Sequence, residues 1–203
     1  GEKKEFMRYS AHNAKIIAEA ADSLLAFLTQ LSDLVKLPLD HVVAAAVGFR
    51  VESYLMAFAH RAGELIPKRI ARDYAPYAGG LVLNPKPGMH RDIAVIDFRS
   101  MYPNLMMKYN ISPDTYAGEA AKDLNVAPEV GYGFRKGSDG FYKQALRSLV
   151  VARGDLAAKL KGLSPRTTEY RLFEARQRAI KVITNAMYGY CGWVGARWYA
   201  KPV

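Results

Sequence analysis

The sequence predicts an α+β chain in which long helices outweigh a small antiparallel sheet. Three observations carry this. Residues 14–31 repeat apolar side chains (Ile16, Ile17, Ala20, Ala21, Leu24, Leu25, Leu28, Leu31) at the spacing of one helix face. Two short apolar runs, 79–83 and 93–98, flank the turn-rich stretch 84–88 and read as strands, antiparallel if that loop is a hairpin. Residues 141–162 and about 167–187 are two helical patterns joined by Gly162-Leu163-Ser164-Pro165, which is the layout of an αα-hairpin.

Taken in order, Pro38 interrupts the first helix, and 39–62 reads as a second, largely buried one. Residues 65–76 form a basic linker with Lys68, Arg69 and Arg72, suited either to a nucleic-acid backbone or to plain solvation. Gly79-Gly80-Leu81-Val82-Leu83 is a strand entered through glycines, and Ile93-Ala94-Val95-Ile96 is a buried strand. A helix containing Leu105, Met106 and Tyr109 follows. The glycine-rich stretch 114–140 is expected to be irregular, a surface loop ordered by DNA or a partner. In 141–162, Tyr142, Ala145, Leu146, Leu149 and Val150 point inward, and Gly154 weakens the helix locally. Thr167 or Thr168 caps the last helix, and Gly189 is its stop signal.

Composition narrows the class of partner. The 203 residues carry 29 Lys plus Arg against 19 Asp plus Glu, a net charge of +10. Such an excess favours an anionic partner, nucleic acid first and an anionic membrane surface second. No apolar run is long enough to span a bilayer, and no cleavable signal is visible at Gly1-Glu2-Lys3-Lys4. The single Cys191 forms no internal disulfide, so a reducing, cytoplasmic setting is expected.

Two stretches carry chemistry. In Asp97-Phe98-Arg99-Ser100-Met101-Tyr102-Pro103, a carboxylate ends an apolar run and an aromatic ring follows five residues later. A buried carboxylate needs a partner, and a hard divalent cation such as magnesium supplies one. A helix cap is the plainer alternative for a lone Asp in that place. The second stretch is Arg178-Ala179-Ile180-Lys181-Val182-Ile183-Thr184-Asn185-Ala186-Met187-Tyr188-Gly189. At about 100° per residue, Arg178, Lys181, Asn185 and Tyr188 share an arc of roughly 80°. Two cations, an amide and a phenol on one stripe suit a phosphate beside a base pair, whereas a solvated basic face needs neither the Asn nor the Tyr.

These two motifs, in this order, resemble the first polymerase motif and the fingers-helix motif of family B DNA polymerases, with an archaeal flavour. Tyr77-Ala78-Gly79-Gly80 resembles the tyrosine and paired glycines that link the exonuclease region to the palm. The resemblance runs from about residue 9 to residue 201. It implies a partial palm (antiparallel strands with helices) and a long two-helix fingers hairpin, preceded by helices from the end of the exonuclease region. The expected divisions are 1–76 for those helices and a linker, 77–140 for the palm, 141–190 for the fingers and 191–203 for the return to the palm.

The resemblance also implies roles. Asp97 is the first metal-binding carboxylate of a two-metal magnesium site, joined by the Phe98 backbone carbonyl. Ser100 and Met101 offer backbone N–H groups to phosphate. Tyr102 is the steric gate under the sugar. Arg153, in Ala145-Leu146-Arg147-Ser148-Leu149-Val150-Val151-Ala152-Arg153, and Lys181 hold the triphosphate of an incoming dNTP. Asn185 lies near it. Tyr188, with Gly189, checks the nascent pair, and Tyr77, Gly79 and Gly80 meet the DNA. Phosphoryl transfer needs this kind of positioning and charge neutralisation more than covalent help.

Two departures from the pattern shape the expectation. The second catalytic carboxylate of the family lies in a later motif, and the sequence stops at Lys201-Pro202-Val203 before it. Asp114 is expected to brace the palm, and Asp123, Asp139 and Asp155 to be surface charges. Near the amino terminus, Tyr9-Ser10-Ala11-His12-Asn13 has Asn13 where the last exonuclease motif would have an aspartate; alternatively Tyr9 and Asn13 merely start a helix. The expectation is part of a DNA-directed DNA polymerase that binds primer-template DNA and dNTP. It is inactive alone and needs a complementary chain or segment bearing the second aspartate and the thumb. The alternatives are a catalytically inactive, polymerase-like accessory module and a basic domain that treats DNA as a counterion.

Overall fold

The computed structural model describes residues 2–74, 76, 80–98, 100–118 and 122–203. Its fold is α+β, mostly helical with a small antiparallel sheet. The elements are α1 (Glu2–Val35), α2 (Leu39–Ala44), α3 (Val47–Ala62), α4 (Met101–Lys108), β1 (Leu124–Val126), β2 (Gly133–Arg135), α5 (Phe141–Leu160) and α6 (Thr168–Cys191). They belong to two units, one of residues 1–66 and 145–187, the other of 67–144 and 188–203.

The first unit is helical throughout. α1 runs well beyond the expected 14–31, and only its carboxy-terminal end is buried, at Leu31, Leu34 and Val35. The predicted apolar face is helical but uncovered higher up, where Ile16, Ile17, Leu24 and Leu25 stay exposed. Lys36 closes the helix in the left-handed region at φ 59°, with the Leu37 N–H donating to the Ser32 carbonyl at 3.3 Å. Ser53 Oγ donates to the Val35 carbonyl at 2.8 Å, satisfying a second carbonyl of the same buried terminus.

The single helix expected over 39–62 is two helices. Ala45 and Ala46 are extended, at ψ 141° and 155°. Nothing in this alanine-rich stretch has the propensity to break a helix. The break is held by tertiary bonds instead: Arg50 Nε donates to the Val42 carbonyl at 2.9 Å. Tyr54 is buried on α3, and its hydroxyl meets Ser148 Oγ at 3.0 Å on α5. Burial raises the Tyr54 pKa, with the Ser148 bond opposing. α6 joins α1 through the Arg176 guanidinium, which reaches Asp33 at 2.7 Å and the Gln30 carbonyl at 3.0 Å.

The last two helical patterns are present as α5 and α6, joined by a short turn. Leu146, Leu149, Ala179, Ile180, Ile183 and Met187 are buried, whereas Val150, expected inward, is exposed. Thr167 caps α6, its Oγ1 accepting the Tyr170 N–H at 3.2 Å. Gly189 does not stop the helix, which continues to Cys191. Tyr190 and Cys191 are both buried, and that burial outweighs the modest helix cost of one glycine.

In the second unit, the strands expected at 79–83 and 93–98 are absent from the described residues 80–98. Leu81, Val82, Val95 and Ile96 are between 87% and 91% exposed, so Ile93–Ile96 is not a buried strand. An apolar run becomes a strand only when a neighbour meets its N–H and C=O groups, and no described residue does so here. The sheet lies instead in the stretch expected to be irregular. β1 and β2 pair antiparallel with Leu124 opposite Arg135 and Val126 opposite Gly133, and Tyr116 bridges Phe134. Strands of three residues show too little alternation to be read from sequence.

The loop after α4 organises this unit. Asn110 takes the left-handed conformation at φ 55° and is 2% exposed. Its Nδ2 donates to the Arg135 carbonyl at 2.7 Å and the Ser138 carbonyl at 3.0 Å. Its Oδ1 accepts the Gly140 N–H at 2.8 Å. The Asp114 carboxylate accepts the Phe141 N–H at 3.1 and 3.2 Å, and Ser112 Oγ accepts the Tyr142 N–H at 3.1 Å while donating to Asp114. Residues 110–114 therefore cap the start of α5 from outside it. Asp114, expected to brace the palm, instead accepts from the first residue of α5.

The basic linker 65–76 is neither free nor wholly solvated. Arg72 donates to the Val194 and Ala196 carbonyls at 3.1 and 3.0 Å and lies 5.1 Å from the Tyr199 ring centre. Arg69 lies 5.5 Å from the Trp193 ring centre. Arg72→Ala is expected to cost about 2 kcal/mol, because two carbonyls lose a charged donor. Arg72→Lys should recover only part of that, lacking the fork. Chemical denaturation of the three proteins checks this; equal midpoints would remove the bracing role.

Candidate nucleotide and metal site

α4 begins abruptly. Ser100 stands before it in the left-handed region at φ 50°, with no side-chain bond to the helix start. The first-turn N–H groups of an α-helix have no partner within the helix, and here they include those of Met101 and Tyr102. Pro103 and Met106 are the buried residues of α4, leaving Met101 and Tyr102 39% and 44% exposed. Asp97 and Phe98 lie just upstream, outside any helix or strand, both exposed. The Asp97 carboxylate and Phe98 carbonyl are hard oxygen donors of the kind magnesium prefers. Among the described residues, no three His, Cys, Asp or Glu side chains gather as they would around a metal.

Tyr102 meets Tyr188. The two rings stack at 4.4 Å between centres and 6° between planes. This contact joins the two motifs singled out in the sequence. Tyr188 stands on the last turn of α6, which is held from below. The Cys191 carbonyl accepts the Ala200 N–H at 3.1 Å, and the Tyr190 hydroxyl accepts the Arg197 N–H at 3.1 Å. The Tyr142 hydroxyl, buried beside Cys191, donates to the Trp198 carbonyl at 3.0 Å. Burial pushes the Cys191 thiol up to about 12, so this sulfur stays neutral and serves as packing. Tyr188 also lines a cleft of about 390 Å³ with Val130, Tyr132 and Pro202.

The other predicted residues fall as follows. Lys181 and Asn185 are exposed on α6, one turn apart and so on one face. Arg178, of the same stripe, lies 5.1 Å from the Phe27 ring centre. Arg153 is half-buried on α5. Arg153, Lys181 and Asn185 belong to the first unit; Asp97, Phe98, Ser100, Met101, Tyr102, Tyr188 and Gly189 belong to the second. Gly189 is exposed within α6, and Gly80 is exposed with open space around its Cα. Tyr77 and Gly79 lie outside the described residues. Tyr9 and Asn13 stand one turn apart on α1, Tyr9 being 64% exposed. Neither starts a helix, since α1 is already under way. Sequence reasoning missed Asn110 and Ser112, whose only signal is an Asn, a Ser and an Asp clustered just past the end of a helix.

The site thus lies in an α+β chain with two long helices and an aromatic pair that joins the two motifs. Residues 37–203 match the model of DNA polymerase family B, and the chain belongs to that family. It is 46% identical to DNA polymerase 2 of Aeropyrum pernix, covering 98% of this chain and 25% of that protein. It is 42% identical to the DNA polymerase of Archaeoglobus fulgidus, covering all of this chain and 26% of that one. Among solved structures, the family B DNA polymerase of the hyperthermophilic archaeon Pyrobaculum calidifontis matches with a TM-score of 0.87 and 51% identity. That match covers 98% of this chain and 26% of that one. The chain thus spans about a quarter of the length of these relatives. Among the described residues, no helix is long and apolar enough to cross a membrane.

Proposed function

We propose that this chain supplies the nucleotide-binding fingers and the first metal-binding carboxylate of a DNA-directed DNA polymerase. The observation that carries the reading is the Tyr102–Tyr188 stack, because it joins the two motifs that a nucleotide site needs together. On this reading the exonuclease-end helices and linker are 1–76, the palm portion 77–140, the fingers 141–190 and the return to the palm 191–203. Asp97 and the Phe98 carbonyl hold magnesium, which when bound neutralises charge on the transferring phosphoryl group. Lys181 and Arg153 hold the triphosphate, Asn185 lies near that phosphate or sugar group, and the backbone N–H groups of Ser100 and Met101 meet phosphate. Tyr102 excludes a ribose, and Tyr188 with Gly189 meets the nascent pair. Tyr77, Gly79 and Gly80 contribute to DNA binding.

The substrates are primer-template DNA and dNTP in a cytoplasmic setting. The second carboxylate and the thumb come from a complementary chain or segment. Asn13, a poorer metal ligand than a carboxylate, leaves Tyr9 and Asn13 as an exonuclease remnant. The test is primer extension by the purified chain with magnesium and the matched nucleotide. No extension alone, and extension once a segment carrying the second aspartate is added, is the expected result. Extension by the chain alone would overturn the half-site. Failure in both settings, with DNA still bound, would favour the accessory module.

A further inference from the structure

We infer that Tyr188 is a positioning residue for Tyr102: the sugar is selected by a ring that the last turn of α6 holds in place. The inference rests on the nucleotide-site reading above and adds to it a coupling between the two aromatic residues. Tyr102 stands on the first turn of α4 with 44% of its surface exposed. An exposed tyrosine on a helix chooses among staggered rotamers. Rejecting one hydroxyl group requires a ring placed within a fraction of an ångström, which a side chain free to change rotamer does not provide.

What limits Tyr102 is the near-parallel ring of Tyr188 at 4.4 Å. The constraint runs from Tyr188 to Tyr102 and not the reverse. Tyr190 and Cys191, just beyond Tyr188, are 2% and 1% exposed, and both are bonded to the chain at 197 and 200. One face of Tyr102 is thus backed and the other is left for a ligand. An aromatic pair of this kind is worth enough to change a population ratio about three- to tenfold.

The test measures kcat and KM for a dNTP and its matching rNTP in the full-length polymerase, with Tyr102→Ala, Tyr188→Leu, Tyr188→Phe and the Tyr102→Ala/Tyr188→Leu double variant. In parallel, aromatic NMR of the same full-length protein with labelled tyrosine reads the ring-current shift of Tyr102. Tyr188→Leu is expected to move the rNTP:dNTP ratio about three- to tenfold towards rNTP and to erase that shift. Tyr188→Phe should preserve both, and the double variant should be no less selective than Tyr102→Ala. A merely structural role would lower both substrates alike and leave the ratio fixed. If Tyr102→Ala relaxes selectivity while Tyr188→Leu leaves it unchanged, the coupling is wrong and the nucleotide site stands. If Tyr102→Ala itself changes nothing, the site reading fails and the coupling falls with it.

Discussion

Asp97→Ala should abolish magnesium-dependent primer extension by the full-length polymerase, by a factor of roughly a thousand or more, with almost no change in thermal stability. The two halves of this expectation have different physical origins. Asp97 is exposed and outside any helix or strand, so its side chain contributes little packing, and surface changes of this kind stay within about 0.5 kcal/mol. On the reading proposed above, however, it is the one carboxylate this chain supplies to a site where charge must be neutralised. Loss of several kcal/mol of transition-state stabilisation corresponds to that thousandfold or more. Asp97→Asn keeps the shape and removes the charge, and should be nearly as slow. Extension rates measured beside melting curves separate the two halves. An Asp97→Ala enzyme within tenfold of the parent would remove Asp97 from the chemistry, whereas a large loss of stability would recast it as a structural residue.

Asn110→Ala should be the most destabilising single change in the second unit, costing about 3–5 kcal/mol. Its amide is buried and bonded to the Arg135 and Ser138 carbonyls and to the Gly140 N–H. Alanine leaves these three groups without their side-chain partner, at about 1–3 kcal/mol for each one left unsatisfied and buried. Water entering the vacated space offsets part of that. The left-handed backbone at φ 55° adds its own cost, since Asn tolerates that region better than Ala. Asn110→Gly separates the terms, because it removes the amide and relieves the backbone. It should fall between Ala and the parent in denaturant midpoint. Gly140→Ala approaches the same network from the other side. A Cβ there would lie 2.6 Å from Thr115 Cγ2 and 2.8 Å from Ser112 Cβ, which forces the capping loop away from α5. Equal stability of Asn110→Ala and the parent would mean that the loop does not hold the unit together.

Both predictions bear on how much of the molecule could be read before folding it. Local periodicity sufficed for the long helices. The apolar spacing around Leu28 and Leu31, and the two patterns either side of Gly162-Leu163-Ser164-Pro165, depend only on the helical period, which is a property of neighbours in sequence. Side-chain chemistry on one face was legible for the same reason, since Lys181 and Asn185 are one turn apart in any helix. Where a residue's fate depended on distant groups, the reading failed. Ile93–Ile96 has strand composition, but strands are made by their partners, and the run lies exposed. Gly189 has the look of a helix end, but the burial of Tyr190 and Cys191 carries the helix through it.

The sequence by itself therefore determined the long helices, the residue types carried on one face of α6 and the family to which the chain belongs. Only the tertiary structure decided that Arg50 holds the break between α2 and α3 and that Asn110, Ser112 and Asp114 cap α5. It alone placed the Tyr188 ring against Tyr102. Each of these is a contact between different elements or loops of the chain, and no local period encodes which group will fill a bond or a van der Waals surface.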